Sequence, residues 1–268
     1  MRPMIRVGSS IVLTVLAISL AGPPLLADDA PQDPEATGSA SPASARVRIV
    51  LNGAFWLGSS PSFSETRIFE EYAEETTIRT SYETGSAFGP DVAIQATVYR
   101  GLGVRVGYSL ASRDQSGIVE VSRPHPLHFD RPRVASAELS GLSYSEGALH
   151  LDVAYARSAG HLEWTLFTGV TLFRVEADLL GEPTFTDVYP YDELAIASTP
   201  TVTAESSPTG FNLGGGLDYR FGSSGRFGLG IQLLYSTGDA ELQATPEAET
   251  ISFKAGGLQV GAGVRVYF

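Results

Sequence analysis

The residues best suited to acid–base chemistry in this sequence are its four histidines and the acids nearest to them. His150 and Asp152 share one face of a strand-like segment, whereas His125 and His128 lie in the segment RPHPLHFDRPR. Catalysis needs a nucleophile and a base within hydrogen-bonding reach of each other, and the spacing places no serine beside these histidines. We therefore predict no catalytic residue. The absence of cysteine also excludes thiolate chemistry.

Four long polar stretches connect the strand-like segments, and three of them, all except residues 113–143, carry clusters of carboxylates that could bind divalent cations. Their spacing matches no defined calcium loop, so we interpret the stretches as a solvated acidic surface without a defined metal site. Divalent cations at these loops remain an alternative partner. The stretches are residues 58–86, 113–143, 176–209 and 238–250.

Two other patterns could bind anions or nucleotides. The segment RPHPLHFDRPR, residues 123–133, could recognise phosphate or an acidic sugar through its arginines, although such a segment is more often a rigid exposed loop. The segment GLGVRVG lacks the GxGxxG spacing of a dinucleotide site, so we predict no cofactor. A net charge of −12 argues against a nucleic-acid partner.

The N-terminal region has the features of an export signal. Arg2 and Arg6 precede an apolar run that ends near Leu20, and Ala27 precedes two acids. This predicts a signal peptide over residues 1–27, cleaved after Ala27. Residues 28–45 are acidic and rich in proline, which predicts a flexible leader. Residues 46–268 then form one domain.

Eight segments of this domain alternate between apolar and polar residues, the period of a two-faced β-strand. The segments are residues 46–57, 91–99, 103–111, 144–157, 161–175, 210–221, 226–237 and 251–268. Their connections alternate between tight turns, at 100–103, 158–160 and 222–225, and the four long stretches. Short turns at one rim and long loops at the other are typical of an outer-membrane barrel.

The sequence therefore predicts an all-β fold: an eight-stranded antiparallel up-and-down transmembrane barrel with short periplasmic turns and long extracellular loops. The apolar row of each strand faces lipid, and the last strand closes against the first. Glycines on the polar face would relieve crowding, because a barrel of eight strands is filled by its own side chains.

The pattern resembles the small outer-membrane β-barrel superfamily, which includes OmpA-type, OmpX-type and Opa-like barrels. FNLGGGLDYRFG is similar to a glycine-rich strand in the later half of such proteins. The segment GVRVYF resembles the signal that the barrel assembly machinery recognises, with Val264, Val266 and Phe268 as its apolar positions. The resemblance implies a location in the outer membrane of a Gram-negative cell envelope, with lipid and lipopolysaccharide as surroundings.

Charged residues on the polar faces would point into the lumen, where an unpaired charge is costly. We predict that they form a salt-bridged plug, with a gated ion path as the alternative. The set is Arg46, Arg48, Arg105, Asp152, Glu163, Asp218, Arg220 and Arg265.

The predicted function is a structural or surface-interaction role through acidic extracellular loops. A porin-like barrel for small or hydrophobic solutes is the alternative, and an enzyme that modifies lipid A is a third hypothesis. A secreted soluble β-sandwich is a further alternative, but that fold does not require short and long connections to alternate.

Overall fold

The computed structural model describes residues 47–57, 62–222, 224–244 and 250–268. The predicted signal peptide, the leader and Arg46 lie outside these ranges. Thirteen strands occupy the described residues: β1 Val47–Leu57, β2 Phe63–Glu71, β3 Glu74–Thr84, β4 Ala87–Tyr99, β5 Leu102–His125, β6 His128–Ala159, β7 Leu162–Leu180, β8 Thr184–Thr186, β9 Ala195–Ser198, β10 Thr201–Ser206, β11 Thr209–Phe221, β12 Phe227–Leu242 and β13 Ile251–Tyr267. Within these ranges, no helix has the length and apolar character needed to cross a membrane.

Eight of the strands close into an antiparallel barrel. Around the ring they run β1, β4, β5, β6, β7, β11, β12 and β13, and β13 pairs again with β1. The closing pair extends from Arg48 opposite Tyr267 to Leu57 opposite Leu258. Each barrel strand thus has a hydrogen-bonded neighbour on both sides. The predicted eight-stranded antiparallel barrel, closed by the last strand against the first, is confirmed.

Three tight turns lie at one end of the barrel, which we call the turn end. They join β4 to β5, β6 to β7 and β11 to β12, as the sequence predicts. In the first of them Arg100 and Gly101 both have positive φ, at 47° and 91°. Glycine adopts this left-handed conformation without steric cost, which explains its place in a turn of two residues.

Outward and inward residues alternate along every barrel strand. On β12, Ile231, Leu233 and Tyr235 are exposed, whereas Gln232 and Leu234 between them are buried. The outward residues in the barrel walls are apolar or small, and none of them is charged. We call this surface the apolar band; it consists of the outward residues of segments 49–57, 88–98, 102–110, 149–155, 162–172, 211–221, 227–235 and 258–268.

The sequence pattern predicted long loops in these stretches. In the structure much of their length is paired β-strand instead. Strands β5 and β6 have 24 and 32 residues, so they continue as a paired hairpin far beyond the apolar band. The hairpin β2–β3 pairs with the outer half of β5, and β10 pairs with the outer half of β7. We call this part, the described residues of 62–87, 113–148, 173–208 and 236–257, the extension. Its end of the barrel is the loop end.

Candidate functional site

The lumen near the turn end is filled by an ion-pair network centred on Arg48. Its guanidinium donates hydrogen bonds to Glu163 at 2.8 Å, to Asp218 at 2.6 Å and to Gln95 at 2.6 Å. The three partners come from β7, β11 and β4, which lie at different positions around the ring. One side chain of β1 therefore bridges the whole width of the lumen.

Two further arginines bond to the same two carboxylates of this layer. Arg265 donates to Asp218 at 2.8 Å and to Asn52 at 2.6 Å. Arg220 donates to Glu163, and its guanidinium lies 3.9 Å from the centre of the Tyr267 ring. Glu163 and Asp218 thus each accept from two arginines.

A second pair lies at Arg105, which donates to Asp152 at 2.7 Å. Their side chains are 1% and 0% exposed, so the pair is removed from solvent. Arg105 also donates to Gln232 at 3.2 Å, and Gln232 in turn donates to Asp91 at 3.2 Å. Asn52 donates to the same Asp91 oxygen at 2.7 Å, which joins the Arg105 pair to the Arg48 layer.

Seven of the eight residues predicted for the lumen therefore meet in one network, and Arg46 lies outside the described residues. Within this network, four arginines face four carboxylates. The predicted set did not include one of those carboxylates, Asp91, or the amides Asn52, Gln95 and Gln232, although the alternation places these amides on the polar faces. Asp91 has the same strand parity as Gln95, so the alternation along β4 already indicated an inward side chain.

The network requires a small residue opposite it. A Cβ atom on Gly230 would lie 1.8 Å from Asp218 Oδ1 and 2.9 Å from Arg265. Any side chain here would displace the carboxylate that two arginines share, so glycine is needed for close approach rather than for flexibility.

His150 lies deeper in the lumen, and the structure corrects one expectation about it. Ser109 Oγ is 3.2 Å from His150 Nε2, although the sequence spacing placed no serine there. The pairing of β5 with β6 brings the two together, since Gly107 lies opposite His150. The other ring nitrogen contacts the Thr171 hydroxyl at 2.9 Å instead of a carboxylate. The imidazole is buried, and its two ring nitrogens contact hydroxyl groups. These contacts form a polar layer without the acid of a catalytic triad.

The interior of the extension contains a large apolar cluster beside a few buried charges, among them Arg113 and Glu146, and the sequence pattern did not predict this cluster. Phe63, Tyr82, Val119, Tyr144 and Leu179 belong to one buried cluster contributed by several strands. This cluster lies beyond the polar network on the path from the turn end to the loop end. The lumen is therefore filled by paired charges in its lower part, and in its upper part by packed apolar side chains together with a few buried charged residues such as Arg113 and Glu146.

Two side chains fasten the hairpin β2–β3 to the end of β7. Arg67 donates to the carbonyl oxygens of Leu180 and Gly181 at 2.6 and 2.7 Å. The Tyr82 hydroxyl accepts from the Leu180 amide at 2.7 Å. Burial raises the pKa of Tyr82 to about 12, so the hydroxyl keeps its proton at physiological pH.

The predicted anion-binding segment is occupied by partners from the chain itself. Arg123 donates to Glu71 and Asp187, both at 2.6 Å, and Arg133 donates to Asp187 at 2.5 Å. Hydrogen bonding to Arg123 lowers the pKa of Glu71. Arg131 is 61% exposed and lies 3.2 Å from Asp192. The expected rigid exposed loop is thus the tip of the β5–β6 hairpin, with its three arginines held in ion pairs.

Charge is distributed unevenly along the barrel axis. The described extension carries twenty acidic and eight basic residues. Among the described residues, no group of three or more histidine or carboxylate side chains is arranged to hold a metal ion. The acids of the extension form a diffuse negative surface, part of which is neutralised by the pairs at Arg67, Arg123 and Arg133.

The residues predicted as an assembly signal lie on the closing strand. Val264 and Phe268 are exposed on the outer surface, and Val266 is partly exposed. Phe268 exchanges two backbone hydrogen bonds with Val47, at 2.9 and 3.3 Å.

No protein-family model and no curated protein matches this sequence. Three solved structures are similar to it. Neisserial surface protein A (NspA) shares 12% identity with a TM-score of 0.42, over 84% of this chain and 98% of that one. The outer membrane protein OprG from Pseudomonas aeruginosa shares 13% with a TM-score of 0.47, over 84% and 96%. Ail, the attachment invasion locus protein of Yersinia pestis, solved with the heparin analogue sucrose octasulfate, shares 8% with a TM-score of 0.32, over 82% and 99%.

At such identities the likeness concerns the fold alone, and the architecture rests on the strand pairing of this chain. The protein is an eight-stranded antiparallel β-barrel, the fold of the small outer-membrane barrels that its sequence resembles.

Proposed function

We propose that this protein is an integral outer-membrane barrel with a closed lumen, which acts through the surface of its extension. The observation that carries the proposal is the apolar band. Around the whole ring the outward side chains are apolar or small and uncharged, while the charged side chains of the barrel wall are buried inside. In lipid every backbone amide needs an internal partner, and a closed barrel provides one for each. A soluble sandwich would bury these apolar rows instead of exposing them.

Aromatic residues at both edges of the band support a membrane position. Phe211 and Phe221 lie ten residues apart on β11, and both are exposed. Ten residues of strand span about 33 Å, and at a tilt of about 40° this corresponds to a height of about 25 Å. That value matches the apolar band of outer-membrane barrels, which is flanked by aromatic girdles.

Connection lengths indicate the orientation. Outer-membrane barrels have short turns on the periplasmic side and long segments outside the cell. We therefore assign the turn end to the periplasm and the extension to the cell surface. The extension then presents its acidic surface among the lipopolysaccharide molecules of the outer leaflet.

The filled lumen favours a surface role over transport. An ion crossing the barrel would have to separate the Arg105–Asp152 pair and then pass the apolar cluster of the extension. We expect no stable conductance from purified protein in planar bilayers. Reproducible single-channel steps that increase with salt concentration would instead support the porin-like alternative.

The membrane assignment has a direct test. Envelope fractions should release the protein only with detergent, and unboiled samples should migrate differently from boiled ones on a denaturing gel, because a closed barrel resists the detergent. Recovery of the protein in the soluble periplasmic or secreted fraction, without a mobility shift, would refute the proposal. Lipid A mass spectrometry with and without expression tests the enzymatic alternative in the same strain.

A further inference from the structure

Each of the three connections at the turn end has one exposed arginine in it or close beside it. Arg100 lies between β4 and β5, Arg157 lies on the last residues of β6, and Arg226 immediately precedes β12. Among the described residues, none of the three forms an ion pair. This contrasts with the extension, where Arg67, Arg123, Arg131, Arg133 and Arg174 all pair with carboxylates.

Among the described side chains, the turn end also has no exposed carboxylate that could neutralise these arginines. The nearest side-chain carboxylates along the chain are Asp91, Asp152 and Asp218, and all three are buried and already bonded to luminal side chains. The described turn end therefore presents positive charge, whereas the described extension is strongly negative. An exposed guanidinium without an ion-pair partner among the described residues is suited to binding an external anion.

The arginines lie at the level where lipid headgroups meet the apolar band. Arg157 is directly opposite Trp164 on the neighbouring strand, and both side chains are exposed on the outer surface. The Trp164 ring packs against Tyr155 with 5.4 Å between ring centres. Arg100 lies 5.1 Å from the Tyr99 ring centre, and Tyr99 is also exposed. Aromatic rings of this kind occupy the interface between hydrocarbon and headgroups.

We propose that Arg100, Arg157 and Arg226 form a binding surface for the phosphate groups of anionic phospholipids in the periplasmic leaflet. This inference rests on the proposed membrane function and names a ligand class for the turn end. The guanidinium group binds phosphate oxygens through two parallel hydrogen bonds, while its aliphatic stem can lie against the aromatic belt. One arginine on each turn distributes the phosphate contacts around the rim rather than in one pocket.

Trp164 provides an internal reporter for this surface. The chain has two tryptophans; Trp164 is 38% exposed on the lipid-facing side, whereas Trp56 is 5% exposed. Brominated lipids quench tryptophan fluorescence on contact, so quenching of Trp164 measures which lipid lies beside Arg157. The protein would be folded into vesicles that contain brominated phosphatidylglycerol or brominated phosphatidylcholine at equal fractions.

We expect stronger quenching by phosphatidylglycerol in the unaltered protein. An arginine near an anionic membrane surface contributes about fivefold in binding, so Arg157→Gln should reduce the preference about fivefold. Arg157→Lys keeps the charge and should retain most of it. Raising the salt concentration from about 0.1 M to about 1 M should also reduce the preference, because the Debye length falls from about 10 Å to about 3 Å.

Arg174→Gln is the matched control, because Arg174 is an outward arginine on the same strand as Trp164 but at the loop end. It should leave the preference unchanged. Equal quenching by the two lipids, or a preference that survives the triple Arg→Gln variant, would overturn the inference while leaving the barrel in the bilayer. Absence of quenching by either lipid would mean that Trp164 does not contact lipid, and the proposed function would fail with it.

Discussion

A positive charge placed in the middle of the apolar band provides the sharpest test of the membrane assignment. Ile231 lies midway between the aromatic residues Phe227 and Tyr235 on β12, and its side chain is 59% exposed. Its cross-strand neighbours are Leu217 and Ala262, so no carboxylate is directly opposite. If this surface faces water, the new guanidinium of Ile231→Arg would be hydrated. If it faces lipid, the guanidinium would lie near the bilayer midplane.

The extension offers the same substitution in a different environment. Ile118 on β5 is 51% exposed and also points outward, but it lies beyond the apolar band. Its cross-strand neighbours are Ser81 and Glu138, so a new arginine would face a carboxylate. From residue type and exposure alone the two substitutions should have similar effects, and only the surrounding phase distinguishes them.

The expected magnitudes differ clearly. An arginine at the midplane of a β-barrel costs about 2–4 kcal/mol, so Ile231→Arg should lower the free energy of unfolding by that amount. Ile118→Arg should change it by less than about 1 kcal/mol, because its solvent is water and a cross-strand ion pair contributes only a few tenths of a kcal/mol.

Unfolding by urea from phospholipid vesicles, followed by Trp164 fluorescence, would measure both variants against the unaltered protein. The difference between the two variants is the quantity of interest, because errors in extrapolating to zero urea affect both in the same direction. Equal losses for Ile231→Arg and Ile118→Arg, or a loss confined to Ile118→Arg, would refute the assignment of the band to lipid.

Three further predictions concern the interior and the extension. Asp152→Asn should destabilise the barrel by about 3–5 kcal/mol in a urea titration, because it leaves the Arg105 guanidinium buried without its counter-charge; the double variant Arg105→Met with Asp152→Leu should recover most of that loss. Arg123 lowers the pKa of Glu71 below its unperturbed value of 4.5, so this contact stabilises the β2–β3 hairpin fully above pH 4.5 and is lost as the pH falls through the lowered pKa. The protection of the hairpin amides against hydrogen exchange, relative to their intrinsic exchange rates, should therefore fall only in that acidic range. The variant Glu71→Gln should show the same loss of protection at pH 7. Tyr82→Phe should weaken the attachment of the hairpin by about 1–3 kcal/mol, because a buried β7 amide loses its acceptor; unchanged exchange protection of that amide would contradict the role assigned to the hydroxyl.

Strand parity made the barrel predictable from the sequence. In a strand that separates lipid from a filled lumen, each side chain has only two environments, so a single outward residue fixes the direction of all the others. The tight turns at Arg100 and Gly160 then fixed which strands were neighbours. With eight such strands, the ring closes in only one simple order.

The partners inside the lumen were less predictable. Parity indicated that Arg48 points inward, but its bond to Asp218 joins residues that are 170 positions apart. Such a contact depends on the stagger between strands across the ring, which a single sequence does not display. The same limit applies to Ser109 and His150, whose contact follows from the register of β5 against β6.

The extension was misread because charge was given more weight than alternation. In the outer half of β5, Val119 and Val121 are buried, while Glu120 between them faces outward. This is the same alternation as in the barrel wall, but the outward residues contact water and are therefore polar. A two-faced strand in water and an irregular acidic loop have similar composition, and only the period of two separates them.

The pairing of β1 with β13 has a consequence for how the protein forms. The first and last strands of the ring are more than two hundred residues apart, so closure joins segments that are made at opposite times during synthesis. Contacts of such large sequence separation form late and slowly. Until they form, β1 and β13 present unpaired edges that could pair with another chain. The polypeptide must therefore remain unassembled and protected from aggregation until its final strand is available, and the step that joins the two edges is expected to limit the rate of folding.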